Sequence, residues 1–356
     1  MKPRPAPVVS LNILILDEGS PGHCAQSEGI VDLLQRHGLD LRREKLRVRN
    51  RLPGLFRGLM RKLIGLPVGW LNEICLRGCC ELERQPNTPP DLIVSSGGKS
   101  AFASLVLKRR YNAANIFVGV PEPFPDRWFD LILSPVARNF ATSYLVSGVI
   151  PNSVTPARVA EVGATYWQQG LPAQPCWALL IGGDSKSHRY GEYDWQGLVQ
   201  GINALSERLG VRWLITTSRR TPERVEALLA ERLAPDAVVE LVLYNREPRR
   251  VMQPFLAAAQ RVLVTQDSLT MASEALCSGR PVTLLTPETL RLDRGSFFEE
   301  MIEGFPRLPG VERCAMAELT AYAPESTDTQ GAVIGLDRLA PELLRSIERL
   351  TATRSR

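Results

Sequence analysis

The sequence is poor in the residues that build metal and disulfide sites. Its 356 residues hold three histidines and seven cysteines. An odd cysteine count in a long chain argues against a disulfide framework and fits a reducing compartment. Cys75, Cys79 and Cys80 cluster, but no CxxC pair accompanies them. A four-ligand zinc site lacks its donors, and buried thiols are the simpler account. No run of 18 apolar residues occurs, so nothing reads as a membrane-spanning helix. There is no GxxxxGK[ST] or GxGxxG phosphate loop, no DxD pair to hold a metal, and no low-complexity tract. The first nine residues carry two positive charges and three prolines. The apolar stretch that follows stops at Asp17, which predicts a strand rather than a signal peptide.

What is present is globular: 44% hydrophobic and 23% charged residues leave enough apolar surface for two ordinary cores. The net charge of +5 is too small to imply nucleic acid. It is unevenly spread. Between Arg42 and Lys62 lie nine Arg or Lys residues against the single acid Glu44, which suits an anionic surface or substrate. Apolar residues at spacings of three and four over Arg51–Cys80 predict an amphipathic helical hairpin broken near Pro67.

Two glycine-rich turns occupy matching places in the two halves. Glu18-Gly19-Ser20-Pro21-Gly22-His23 follows Leu11–Leu16, and Gly182-Gly183-Asp184-Ser185-Lys186 follows Trp177–Ile181. Each turn lets backbone approach a ligand and aims helix amides at it. Strands alternate with helices in both halves, which predicts doubly wound, mostly parallel sheets. The expected fold is α/β, with two facing Rossmann-like domains across a cleft. Residues 1–165 form the first domain and 175–340 the second. The Gly/Pro/Gln-rich stretch 163–174 serves as linker, and a last helix in 341–356 is a candidate to cross back.

Three stretches carry the chemistry. In Thr265–Ala275 a strand ends and a helix begins, with Asp267 or Ser268 as N-cap and both as candidate donor-binding residues. The amides of Ser268, Leu269 and Thr270 then face an anion such as a diphosphate. Glu274 offers two acceptor oxygens for ribose hydroxyls; the plain alternative is a capped helix with a solvated Glu. Gly182, Gly183, Ser185 and Lys186 supply backbone, a hydroxyl and a cation for phosphate, or else simply turn the chain. His23, at a helix start beside Gly19 and Gly22, is the candidate base or orienter. Gly97, Gly98 and Lys99 end another strand and shape an acceptor pocket, and Glu122 between two prolines is a weaker acid or base.

Taken together these motifs resemble glycosyltransferases of the GT-B architecture. Gly22-His23, Ser96-Gly97-Gly98 and Ser268-Leu269-Thr270 with Ser273-Glu274 are similar to glycine loops and the Ala-Leu-Thr-x-x-Glu donor motif of the lipid II-forming N-acetylglucosaminyltransferases. A closer resemblance, over about residues 11–300, is to the Elm family, whose label is mitochondrial fission. Gly19–His23, Gly182–Lys186 and Asp267–Ala275 fit its Asp-Gly-x-Pro-Gly-His, Gly-Gly-x-Ser/Thr-Lys/His and Asp-Ser-x-Ser-Met-x-Ser-Glu-Ala pattern. Glu18 departs from it, residues 42–80 do not align, and no organelle-targeting signal supports the fission label.

The resemblance implies a metal-independent glycosyltransferase without a cofactor. A nucleotide-diphosphate sugar would bind the second domain, and a lipid-linked or cell-envelope glycan acceptor the first. The basic segment 42–80 would hold the protein peripherally on an anionic inner membrane, on its cytoplasmic side. The alternatives are a non-catalytic membrane-associated scaffold and a sugar-nucleotide 2-epimerase. The epimerase would need first-domain carboxylates, for which Asp17, Glu18 and Glu122 are the candidates.

Overall fold

The computed structural model describes residues 10–50, 80–325 and 335–354. The predicted hairpin therefore lies outside the described residues, apart from its last residue, Cys80. The chain divides into two compact units, the first running to Ser153 and rejoined from Leu336 on, the second spanning Val154–Gly335.

The first unit holds β1 (Leu11–Asp17), α1 (Pro21–Arg36), β2 (Leu41–Asn50), β3 (Cys80–Leu82), β4 (Leu92–Ser95), α2 (Gly98–Tyr111), β5 (Ala114–Val118), β6 (Leu131–Ser134) and β7 (Tyr144–Val146). These strands form one sheet in the order β3-β2-β1-β4-β5-β6-β7. All neighbours pair in parallel except β2 with β3. β4, β5 and β6 are buried along their length, as parallel strands covered on both faces must be.

The second unit holds α3 (Pro156–Tyr166), β8 (Cys176–Leu180), β9 (His188–Arg189), α4 (Glu192–Leu209), β10 (Arg212–Thr216), α5 (Glu223–Arg232), β11 (Val238–Val242), α6 (Met252–Ala258), β12 (Ala259–Thr265), α7 (Leu269–Cys277), β13 (Val282–Thr286), β14 (Thr289–Leu290), α8 (Phe297–Gly304) and β15 (Val311–Ala315). Its main sheet runs β11-β10-β8-β12-β13-β15, all parallel. Trp177 and Trp213 anchor the core edge to face, 5.6 Å between ring centroids. The last helix, α9 (Ala340–Ala352), groups with the first unit, where Arg354 pairs with Asp130 at 2.8 Å.

The division between units falls ahead of the stretch that composition suggests as linker. Residues 163–166 belong to α3, which packs on α6; a β-carbon on Gly163 would lie 2.3 Å from that of Ala257. The glycine there serves close helix packing, not chain flexibility. Pro21 opens α1, where its missing N–H costs nothing, and His23 falls in the first turn of that helix.

The basic run is altered too. Arg42–Arg49 lies on β2, where side chains alternate between faces. Arg43 pairs with Asp32 and Lys45 with Glu28, both at 2.9 Å. Part of the charge that composition offers to an anionic surface is thus met within the protein. No described helix is long and apolar enough to cross a membrane.

Candidate functional site

Each sheet reverses its strand order at one place, between β1 and β4 and between β8 and β12. Ligands of open α/β sheets bind beyond the carboxyl ends of strands at such reversals. The loops that leave β1, β4, β8 and β12 carry the residues singled out above. Two clusters result, one in each unit.

In the first unit, Glu18 sits between two loops. One of its oxygens meets His23 Nδ1 at 2.6 Å; the other accepts the Lys99 and Ser100 amides at 2.8 and 3.2 Å. Burial alone would raise its pKa, but the His23 contact and then the two amides outweigh that, and it is held below its ordinary value. The ionised carboxylate fixes the proton on Nδ1 and leaves His23 Nε2 as the free acceptor. The His23 side chain is 41% exposed against 8% for Glu18, so the imidazole is presented and its carboxylate is covered.

Gly97 makes this contact possible. It has φ +91°, and a β-carbon there would come within 2.4 Å of both Glu18 Oε1 and His23 Nδ1. Glu18, which breaks the Elm pattern, is the residue sequence reading undervalued. The signal available was its place at a strand end, five residues before a histidine.

The same geometry bears on the acceptor assignment of Gly97, Gly98 and Lys99. The Lys99 and Ser100 amides at the start of α2 are already capped by Glu18, so these two do not await an anion. Gly97 serves packing, Gly98 faces open space, and the Lys99 side chain is exposed. Gly19, at φ +84°, donates its amide to Asp17 Oδ1 at 2.8 Å, and Gly22 is the second residue of α1. Of the carboxylates an epimerase would need, Glu18 is engaged, Asp17 accepts the Gly19 amide, and the exposed Glu122 pairs with Arg138 at 3.1 Å.

In the second unit the glycine loop is also tied down internally. Gly182 N–H donates to Thr265 Oγ1 (2.7 Å), Gly183 N–H to Asp267 Oδ2 (3.1 Å) and Ser185 N–H to the His188 carbonyl (3.0 Å). The Ser185 hydroxyl accepts the Ser187 and His188 amides at 3.3 and 3.1 Å. The sequence offers Gly182, Gly183 and Ser185 to phosphate; the structure spends them on closing the loop. The glycines are needed because a β-carbon on Gly182 would meet Asp267 Oδ2 at 2.2 Å, and one on Gly183 the Arg220 carbonyl at 2.1 Å. Gly183→Ala is expected to destabilise by about 1–3 kcal/mol, since its neighbour is backbone and cannot rotate away; urea unfolding measures it.

Asp267 is a hub rather than a ligand contact. Its buried carboxylate also accepts from Tyr190 Oη at 2.9 Å and pairs with Arg220 at 2.5 Å. Burial, then the Asp267 charge, pushes the Tyr190 hydroxyl pKa upward, so it remains a donor. His188 is buried and its pKa is lowered, chiefly by desolvation.

What remains open lies on α7. The Ser268 hydroxyl caps the Met271 amide (3.4 Å), and the Ser268 amide turns to the Thr265 carbonyl (3.5 Å). The Leu269 and Thr270 amides, in the first turn, have no partner among the described residues. Thr270 and Glu274 are four apart and share a helix face. Glu274 is half-buried, has neither hydrogen bond nor cation among the described residues, and is pushed up to about 7 by desolvation. The exposed Lys186 ammonium is likewise unpaired among them.

Sequence and structure comparisons now bear on this arrangement. A model of the mitochondrial fission ELM1 family matches residues 21–304. The chain belongs to that family. The chain is similar to the uncharacterized protein RP120 of Rickettsia prowazekii (strain Madrid E), 21% identical over 270 residues, covering 66% of this chain and 76% of that protein. Among solved structures, a Listeria monocytogenes protein assigned as a UDP-N-acetylglucosamine 2-epimerase superposes with a TM-score of 0.52 at 13% identity, over 96% of this chain and 91% of its own. Arabidopsis thaliana UGT89C1, solved with quercetin, gives 0.52 at 12%, over 98% and 94%. These likenesses show the fold: the ELM1-family chain has the GT-B architecture of two Rossmann-like units. Its three family motifs, Gly19–His23, Gly182–Lys186 and Asp267–Ala275, all fall at the two strand-order reversals.

Proposed function

We propose that the protein transfers a sugar from a nucleoside-diphosphate sugar to a hydroxyl of a lipid-linked or cell-envelope glycan. One observation carries this reading: among the described residues, Glu274 is a solitary, half-buried carboxylate one helical turn from two unengaged N-terminal amides. Isolation of this kind costs stability and persists where a ligand completes it. A ribose diol supplies two donors to Glu274, and the diphosphate meets the Leu269 and Thr270 amides with Lys186 beside them. Fixed dipoles of this sort stabilise the departing diphosphate, so the transfer needs no metal. On the first unit, His23 Nε2 takes the proton from the acceptor hydroxyl while Glu18 steadies the resulting imidazolium. The basic segment 42–80 associates the enzyme peripherally with an anionic inner-membrane surface.

The commitment of Glu18 to His23 and the α2 amides disfavours its use in epimerisation. An orphan carboxylate beside open amides has no purpose in a non-catalytic scaffold. A thermal-shift panel of UDP, GDP, ADP and CDP, with and without EDTA, tests the reading. At least one nucleotide is expected to raise Tm by several degrees, EDTA changing nothing; at 100 times Kd, binding adds about 2.7 kcal/mol. No shift from any nucleotide, with retained binding to anionic liposomes, would favour the scaffold.

A further inference from the structure

Arg220 belongs to none of the family motifs, yet it reaches the same loop cluster. It lies in the Ser218–Thr221 turn after β10. Thr221 Oγ1 donates toward the Gly182 carbonyl (2.5 Å), and the Ser218 amide donates to Thr221 Oγ1 (3.0 Å). The Arg220 carbonyl occupies the space a Gly183 side chain would need. The turn is therefore fastened to the glycine loop by backbone as well as side chain.

The guanidinium is set with equal care. Asp267, wholly buried, holds one terminal nitrogen at 2.5 Å, while the Arg220 side chain stays 35% exposed. That is its one side-chain contact among the described residues, and an arginine has five N–H donors in a rigid fork. The remaining donors are presented outward from the residue that immediately precedes the α7 cap. Asp267 is itself fully used, by Gly183, Tyr190 and Arg220, so the pair is anchored from its buried end. A salt bridge built only for stability would gain little from such half-exposure; one built to present a cation needs it.

We infer that Arg220 contacts the diphosphate of the donor nucleotide, and that Asp267 is its positioning residue. This rests on the proposed function and adds the main cation of that site. Phosphate takes a planar fork in bidentate geometry, so the contact selects diphosphate over an uncharged nucleoside.

The test is calorimetric titration of the full chain with the nucleoside diphosphate that shifts Tm most, and with its parent nucleoside. Arg220→Ala is expected to weaken diphosphate binding at least tenfold and nucleoside binding less than twofold. It should also flatten the dependence of diphosphate affinity on salt. Arg220→Lys, which retains the charge and the Asp267 partner, should recover part of the loss. Asp267→Asn should reproduce the selective loss more weakly. If Arg220→Ala binds the diphosphate within twofold of wild type, the inference is overturned and the proposed function stands. Equal losses for diphosphate and nucleoside, in Arg220→Ala or in Arg220→Lys, would also overturn it and assign Arg220 to the fold. A wild-type protein that binds no nucleoside diphosphate would overturn both.

Discussion

Replacing His23 with alanine is expected to lower the transfer rate by about 10²–10⁴-fold, roughly 3–5 kcal/mol of barrier, while nucleotide affinity stays within twofold of wild type. The split follows from where the residue sits. His23 is in the first turn of α1 in the first unit, whereas Glu274 and the open amides are on α7 in the second. Glu18→Gln keeps the shape but turns an acceptor into a group that also donates. It should release the imidazole tautomer and loosen the cap on α2, costing rate together with about 1 kcal/mol of stability. The lowered pKa of Glu18 sets the window. Its stabilising contribution is present above the ordinary value of 4.5 and is lost as pH falls through the depressed native value. The dyad is therefore intact across neutral pH. Steady-state kinetics with any sugar nucleotide that binds would decide the matter; a His23→Ala enzyme turning over within threefold of wild type removes the histidine from the chemistry.

Glu274→Gln is expected to make the protein more stable and less able to bind nucleotide. Desolvation pushes this carboxyl from 4.5 to about 7. The native state thus binds a proton more tightly than the unfolded chain between those values, and stability falls as pH rises from about 4.5 to 7. Above pH 7 the ionised, partnerless group costs roughly 3 kcal/mol. The glutamine variant carries no such charge, so its advantage should be near zero at pH 4 and close to that figure at pH 8. Ligand binding runs the other way. A ribose diol bonds best to the ionised form, so wild-type nucleotide affinity should climb from pH 6 to pH 8 and that slope should vanish in Glu274→Gln. Urea unfolding and titration at three pH values measure both. Equal stability of the two proteins at pH 8 would mean that Glu274 is solvated, and the case for a ribose contact would fall with it.

The sequence by itself determined the class of fold and where the loops lie. Short buried strands such as Leu131–Ser134 read as parallel strands because every residue is apolar or small, and the glycine turns after β1 and β8 are local punctuation. A helix start after β12 was legible too, and with it the face that Thr270 and Glu274 share, but not which of its first amides stay unengaged: the Ser268 amide turns back to the Thr265 carbonyl. Short elements such as α6, α8 and β15 were not legible: their signals are weak and depend on what packs against them.

Only tertiary structure decided which polar groups are free. Ser185, Gly182, Gly183 and Asp267 look from the sequence like ligand contacts, yet each finds its partner 83 or 84 positions away or within its own turn. Glu18 looked like a departure from pattern, yet it caps a helix 81 residues on and orients His23. The physical reason is common to all of them. A hydrogen bond is short and directional, so its partner is set by strand order and loop packing, which pair residues with no regard to sequence distance. Periodicity and glycine placement, by contrast, are written into neighbouring residues.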